Sequence, residues 1–120
     1  MTITINTDIF NRLYNLLCFW YSHTKKIPKF DRYTIAQKIF DILLETLLII
    51  QQAQFQKPYQ KKLTLEKASQ SLGTVKILIR LTHDLNIVDQ KKYLYLEKNL
   101  QEIGCMLGGW IKSLSENKRG

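Results

Sequence analysis

Any chemistry in this chain of 120 residues must start from a small stock of reactive side chains. It has two histidines, His23 and His83, and two cysteines, Cys18 and Cys105. Neither histidine lies in an H-E-x-x-H run, and no Glu-x-x-His pair offers the ligand set of a di-iron helical bundle. His83 and Asp84 are adjacent, so on a helix their side chains diverge by about 100° and do not make a catalytic pair. The cysteines are far apart and form no C-x-x-C motif. Each sits among apolar residues, the ordinary setting of a free buried thiol, and their spacing leaves a bond between them open. A reducing cytoplasm is the simplest location. Gly104, Gly108 and Gly109 do not follow a strand as the glycines of a phosphate-binding loop do. We therefore assign no catalytic, cofactor-binding or metal-binding residue, and expect a protein that catalyses nothing itself.

What the chain has in excess is positive charge. Eighteen Lys and Arg stand against ten Asp and Glu, a formal net charge of +8. Such an imbalance in a small domain points to an anionic partner: nucleic acid, a membrane surface or an acidic protein. Lys76, Arg80 and His83 follow spacings of four and three, so a helix would line them up as a stripe able to track phosphates. Lys91, Lys98, Glu102, Cys105 and Lys112 form a second, more mixed stripe. Arginine suits such a surface because its planar fork grips phosphate or carboxylate in two places. The candidate contacts are Lys76, Arg80 and His83, with Lys29, Arg32, Lys91, Lys92 and Lys112. The chain lacks a zinc finger, an RNP motif and a recognition helix, so any nucleic-acid binding should be largely independent of base sequence.

The elements that position these residues follow from the breaks. Apolar types make up 45% and charged types 23%, a globular composition in which one domain suits the length. Pro28 and Pro58 each fall in a polar, Lys-containing stretch and separate helices. A third break falls at Asp84 to Asp89, where Asn86 can end one helix and Asp89 can cap the next. The four resulting helices run from about Thr7 to Lys26, Asp31 to Gln56, Lys61 to Leu85 and Asp89 to Leu114. Met1 to Asn6 and Ser115 to Gly120 are expected to fray. Apolar seams with helical spacing include Ile9, Leu13, Leu16, Leu17 and Trp20 in the first helix. The third carries Leu65, Ala68, Leu72, Val75, Ile79 and Thr82, and the fourth Tyr93, Leu96, Leu100, Ile103, Leu107, Trp110 and Leu114. Short loops make sequential helices antiparallel neighbours, so the predicted fold is all-α, an up-down-up-down four-helix bundle with a core over about residues 8–114. Its first and third loops would gather Lys25, Lys26, Lys29, Arg32, Lys91 and Lys92 at one end. Lys57, Lys61, Lys62, Lys118 and Arg119 would gather at the other.

Two features exceed the needs of a lone bundle. In the second helix, Ile39, Ile42, Leu43, Leu44, Leu47, Ile49 and Ile50 cover an arc of roughly 220°, with Leu48 beyond it among polar positions, whereas a surface helix needs a stripe somewhat above 100°. Self-association through residues such as Leu44, Leu48 and Ile49 would cover the surplus, as would a central position for this helix. In the fourth helix, Gly104, Gly108 and Gly109 stand close to Trp110, although helix-interior glycine costs about 1 kcal/mol relative to alanine. They imply close approach of another backbone or room for a large side chain. A membrane role for the G-x-x-x-G spacing is set aside because Lys98, Glu102 and Lys112 share that helix. The most apolar run, Ile39 to Ile50, holds Asp41 and Glu45 and falls far short of the roughly 20 residues of a membrane span. Arg12 interrupts the only apolar stretch near the start, so a signal peptide is not expected.

The run Glu102-Ile103-Gly104-Cys105-Met106-Leu107-Gly108-Gly109-Trp110-Ile111-Lys112-Ser113, together with Ile79-Arg80-Leu81-Thr82-His83-Asp84-Leu85 and Phe30-Asp31-Arg32-Tyr33-Thr34, resembles the accessory variability determinant (Avd) of diversity-generating retroelements. That family groups with the four-helix proteins encoded in intervening sequences of bacterial 23S ribosomal RNA genes. The resemblance covers about residues 8–114. It implies a barrel-like homopentamer of four-helix bundles that binds the element's reverse transcriptase and its RNA or DNA, so that mutagenic copying of a template RNA proceeds. By that resemblance the polymerase supplies the catalytic carboxylates and metals, and the pentamer would account for the surplus apolar arc. The family commonly carries arginine where Cys105 stands here, which thins the basic stripe of the fourth helix. A structural oligomer or scaffold that binds only protein is the competing class, and a peripheral membrane binder a third; salt-dependent RNA binding separates the first reading from both.

Overall fold

The computed structural model describes residues 4–119, with side chains from 8 to 115. Helix α1 spans Thr4–Thr24. A single turn, α2 (Lys29–Asp31), passes through a wide π turn at Arg32–Ala36 into α3 (Gln37–Ala53), making one continuous rod. Helix α4 spans Pro58–Asp84 and α5 spans Gln90–Arg119. No strand occurs among the described residues. Parts of both ends expected to fray are helical: α1 begins at Thr4 and α5 continues to Arg119, while residues 1–3 and 120 lie outside the described residues.

Pro58 opens α4 instead of preceding it by three residues. At the first helical position its missing N–H costs nothing and its fixed φ is already helical. The junction between α4 and α5 follows the expected chemistry. Asn86 takes a left-handed φ of 62°. The Ile87 N–H donates to Thr82 O at 2.8 Å and the Asn86 N–H to His83 O at 3.0 Å, the paired bonds of a Schellman stop. Asp89 Oδ1 then accepts from the Lys92 N–H at 2.8 Å, capping α5. That bond is the main cause holding the Asp89 carboxyl below its usual range.

The molecule measures 51 × 21 × 20 Å. Loops of four or five residues cannot span its length, so each helix returns beside the one before it. Side-chain pairs fix the direction. Arg12 pairs with Glu102 and the Phe19 ring packs at a tilt against Tyr95 at 4.5 Å, so seven residues forward on α1 match seven back on α5. Lys61 over Trp110 and His83 beside Gln90 give the same antiparallel sense for α4 and α5. Four rods thus form a square bundle in which α1 also borders α5.

Every aliphatic seam residue expected for the first, third and fourth helices is buried. Among the described residues the two buried hydroxyls, Thr46 and Thr82, donate to the carbonyls of Ile42 and Ile79 in their own helices, so neither needs a partner on another helix. The Trp20 indole N–H donates across the core to Ala36 O at 3.0 Å, tying α1 to the π turn. On α3, Ile39, Leu43, Leu47 and Ile50 are buried, and Ile42 and Ile49 are half-buried against the core. Much of the surplus arc is therefore consumed within the chain; Leu44 and Leu48 remain exposed. Both cysteines are free and exposed, contrary to the buried setting expected for them. Their apolar sequence neighbours turn inward, whereas Cys18 and Cys105 point away from the core.

Candidate nucleic-acid and polymerase interface

The face shared by α4 and α5 collects the stripe residues. Lys76 and Arg80 are exposed on the α4 flank that turns toward α5. Arg80 makes a long, exposed contact of 4.0 Å with Asp84 one turn on, a pairing too solvated to hold the guanidinium back from a stronger partner. His83 belongs to the same flank but is committed to structure. Its ring stacks on Tyr93 at 4.3 Å, Nε2 lies 2.8 Å from Gln90 Oε1, and Nδ1 lies 3.4 Å from Asp84 Oδ1. It steadies the start of α5 more than it offers a free contact.

On α5, Lys91, Lys98, Cys105 and Lys112 recur every seven residues, all exposed. Glu102, expected in this stripe, turns instead to α1, where it accepts from Arg12. Its departure leaves the outer face of α5 more uniformly basic than the sequence pattern implied. Between the two helices lies a groove of about 390 Å³, lined by Ser69, Leu72, Gly73, Lys76, Gln101, Gly104 and Cys105.

The glycines face the outside of the chain. A methyl group added at Gly104, Gly108 or Gly109 would meet nothing within 4 Å. Within one chain they neither admit another backbone nor make room for Trp110, whose ring is buried beneath Lys61 Nζ at 6.0 Å. The close approach expected of these glycines is therefore not made within the chain. Gly104, with Gly73 of α4, lowers the wall of the α4/α5 surface, since both line the groove.

The remaining basic candidates divide by location. Arg32 is structural: Nε and Nη2 both donate to Ile27 O at 3.2 and 3.0 Å, and Nη2 also reaches Lys25 O at 3.5 Å. It clamps the loop between α1 and α2. Lys29 and Lys91 are exposed, and Lys92 is half-buried near His23. The side chains of Lys118 and Arg119 lie outside the described residues. Among the described residues no group of three or more His, Cys, Asp or Glu is placed to hold a metal ion. No described helix is long and apolar enough to cross a membrane.

A family model described as bAvd-like matches residues 9–114. The chain belongs to the bAvd-like family. The bounds of the match coincide with the first and last buried side chains among the described residues, Ile9 and Leu114, so the family pattern spans the described hydrophobic core. No curated protein and no solved structure gives a significant match. Cys105 lies on the outer face of α5, between Lys98 and Lys112.

Sequence reasoning missed two contacts of this frame: the Arg12–Glu102 pair and the Trp20–Ala36 bond. Each joins residues from different helices, and helical periodicity within one segment carries no signal for them.

Proposed function

We propose that this chain is a non-catalytic accessory protein of a diversity-generating retroelement, binding the reverse transcriptase and the template RNA or its cDNA in support of mutagenic retrohoming. We take it to act as a cytoplasmic homopentamer. The observation that carries this reading is the bAvd-like match across the whole core, since that family is in general an accessory, non-catalytic one. The exposed Lys76, Arg80, Lys98 and Lys112 support it: they give α4 and α5 a cationic face suited to a phosphate backbone or to an acidic patch on a polymerase.

The test is co-expression of the tagged chain with its element's reverse transcriptase and template RNA. All three should co-elute, and RNA should be released progressively as salt rises. A polymerase that elutes free, together with RNA recovered only at background, would refute the reading. Retention of the polymerase alone would favour the competing protein scaffold.

A further inference from the structure

On the side of the bundle away from the α4/α5 face, the groove between α1 and α3 has a different chemistry. Two adjoining hollows of about 160 and 440 Å³ share Tyr21 and Phe40 as common walls. Tyr14 and Cys18 extend one of them along α1, and Tyr33 and Gln37 extend the other along the second rod. Tyr14, Tyr21 and Tyr33 are each more than half exposed, an unusual density of free aromatic surface on one groove. Only two charged side chains line the hollows, Lys25 and Arg32, and both are cationic. Lys25 Nζ stands 5.3 Å from the centroid of the Tyr21 ring, and the Tyr21 and Phe40 rings lie 5.9 Å apart. Lys29 is exposed on the loop turn at the same end.

Aromatic faces interleaved with cations, with no carboxylate between them, match the chemistry of unpaired nucleic acid. The rings offer stacking surfaces to bases, and the lysines meet the phosphates. Tyr14 and Tyr21 are two helical turns apart, a rise of about 10 Å. That distance accommodates roughly three nucleotides at about 3.4 Å each along a strand. We propose that the α1/α3 groove is a binding site for single-stranded nucleic acid, holding three or four nucleotides by stacking on Tyr21 and Tyr14 with Lys25 on the backbone. The site rests on the nucleic-acid reading above but is distinct from the α4/α5 groove, whose lining holds no aromatic residue. A duplex keeps its bases stacked on one another, so it would engage the α4/α5 face and not this groove.

The probe is a fluorescently labelled twelve-nucleotide oligo(dT), followed by anisotropy, with a blunt duplex of equal length as comparison. The variants are Tyr21→Leu and Tyr14→Leu, which keep apolar bulk and remove the ring, and Tyr21→Phe, which keeps the ring. Helical content and assembly state are checked for each. Single-strand affinity should fall by about 5- to 100-fold for each ring lost. Duplex affinity should be unchanged, and Tyr21→Phe should bind as the parent does. A 5-iodouracil oligomer should also photo-crosslink to peptides containing Tyr14 or Tyr21 in the unmodified protein, which keeps the proposal testable if a variant fails to fold. Single-strand binding that is untouched by both leucine variants, or crosslinks confined to α4 and α5, overturns the groove assignment while leaving the nucleic-acid reading intact. A parent protein that binds neither probe overturns both.

Discussion

His23 shows how a single residue can couple this fold to pH. Its ring lies beside Trp20 at 5.7 Å, and both ring nitrogens are buried without a hydrogen-bond partner. Burial, followed by the charge of Lys92, holds its pKa below the ordinary value of 6.5. Below 6.5 the unfolded chain takes up the proton more readily than the folded one, so stability falls as pH drops through the window between 6.5 and the lowered folded value. Above 6.5 this contribution vanishes. The Asp89 carboxyl, also lowered, acts in a separate window, stabilising above its unfolded value and losing that effect only in stronger acid. Thermal melts between pH 8 and pH 5 should therefore show a declining midpoint that flattens in His23→Phe. An identical slope in the variant would place the proton uptake elsewhere. The basic residues divide in the same physical way. Replacing Lys76 and Arg80 together with alanine should change stability by no more than about 0.5 kcal/mol, because both are exposed. The same change should weaken RNA binding similarly across unrelated sequences and lower the salt slope by roughly 0.7 to 0.9 per lost phosphate contact. Arg32→Ala should do the reverse, costing roughly 1–2 kcal/mol through its lost bonds to Ile27 O and Lys25 O while leaving the salt slope alone. Equal losses of RNA binding in both variants would show that this division is wrong. Periodicity put Lys76, Arg80 and His83 on one flank, as observed. It was blind to the partners that pin His83 and Arg32, because Gln90, Tyr93 and Ile27 meet them only through the loops.

At the scale of the helices, the glycines of α5 are open positions. Alanine has the higher helix propensity, and its methyl group meets nothing within 4 Å at Gly104, Gly108 or Gly109. Each Gly→Ala change should therefore stabilise the isolated chain by about 0.5–1 kcal/mol, measured in a denaturant titration at a concentration where the assembly state is fixed. Gly108→Leu should not overpack the bundle either. A drop in stability at Gly108 would mean that a second chain covers it, and a simultaneous shift in assembly state would locate the contact. Helix boundaries were legible where local chemistry sets them: Asn86 and Asp89 stop and start helices by hydrogen bonds formed within a few residues. The π turn at Arg32–Ala36 was not legible. No residue in Arg-Tyr-Thr-Ile-Ala forbids ordinary α-helix, and within this wide turn the Ala36 carbonyl meets the Trp20 indole from another helix. The ends of α1 and α5 likewise exceeded expectation, because fraying was inferred from position alone.

For the whole molecule, the antiparallel bundle was legible because one apolar seam per helix and three short breaks leave few other ways to bury the same residues. The surface was less so. Much of the surplus arc of α3 is consumed inside the chain, and an exposed apolar stripe runs instead along α4 to its C-cap, where Ile77, Leu81 and Leu85 are 70%, 42% and 57% exposed at successive four-residue steps. The seam expected for α4 is the inward one alone; this outer stripe was not expected. The apolar surfaces available to the proposed assembly include this stripe, and Leu44 with Leu48 on α3. The net charge of +8 repels copies of the chain from one another, so apolar contact must outweigh that repulsion, and raised salt should favour assembly. Light scattering at low micromolar concentration should give close to five times the chain mass of 14.2 kDa. Ile77→Glu places a carboxylate in the middle of the α4 stripe, and Leu48→Glu does the same on α3. Neither residue supports the intrachain core, so both variants should keep full helical content. The face that carries the assembly is the one whose variant falls to the mass of a single chain. A parent protein that is monomeric at every salt concentration would refute the pentamer outright, and a pentamer that survives both substitutions would move the contact to the glycine-bearing surface of α5.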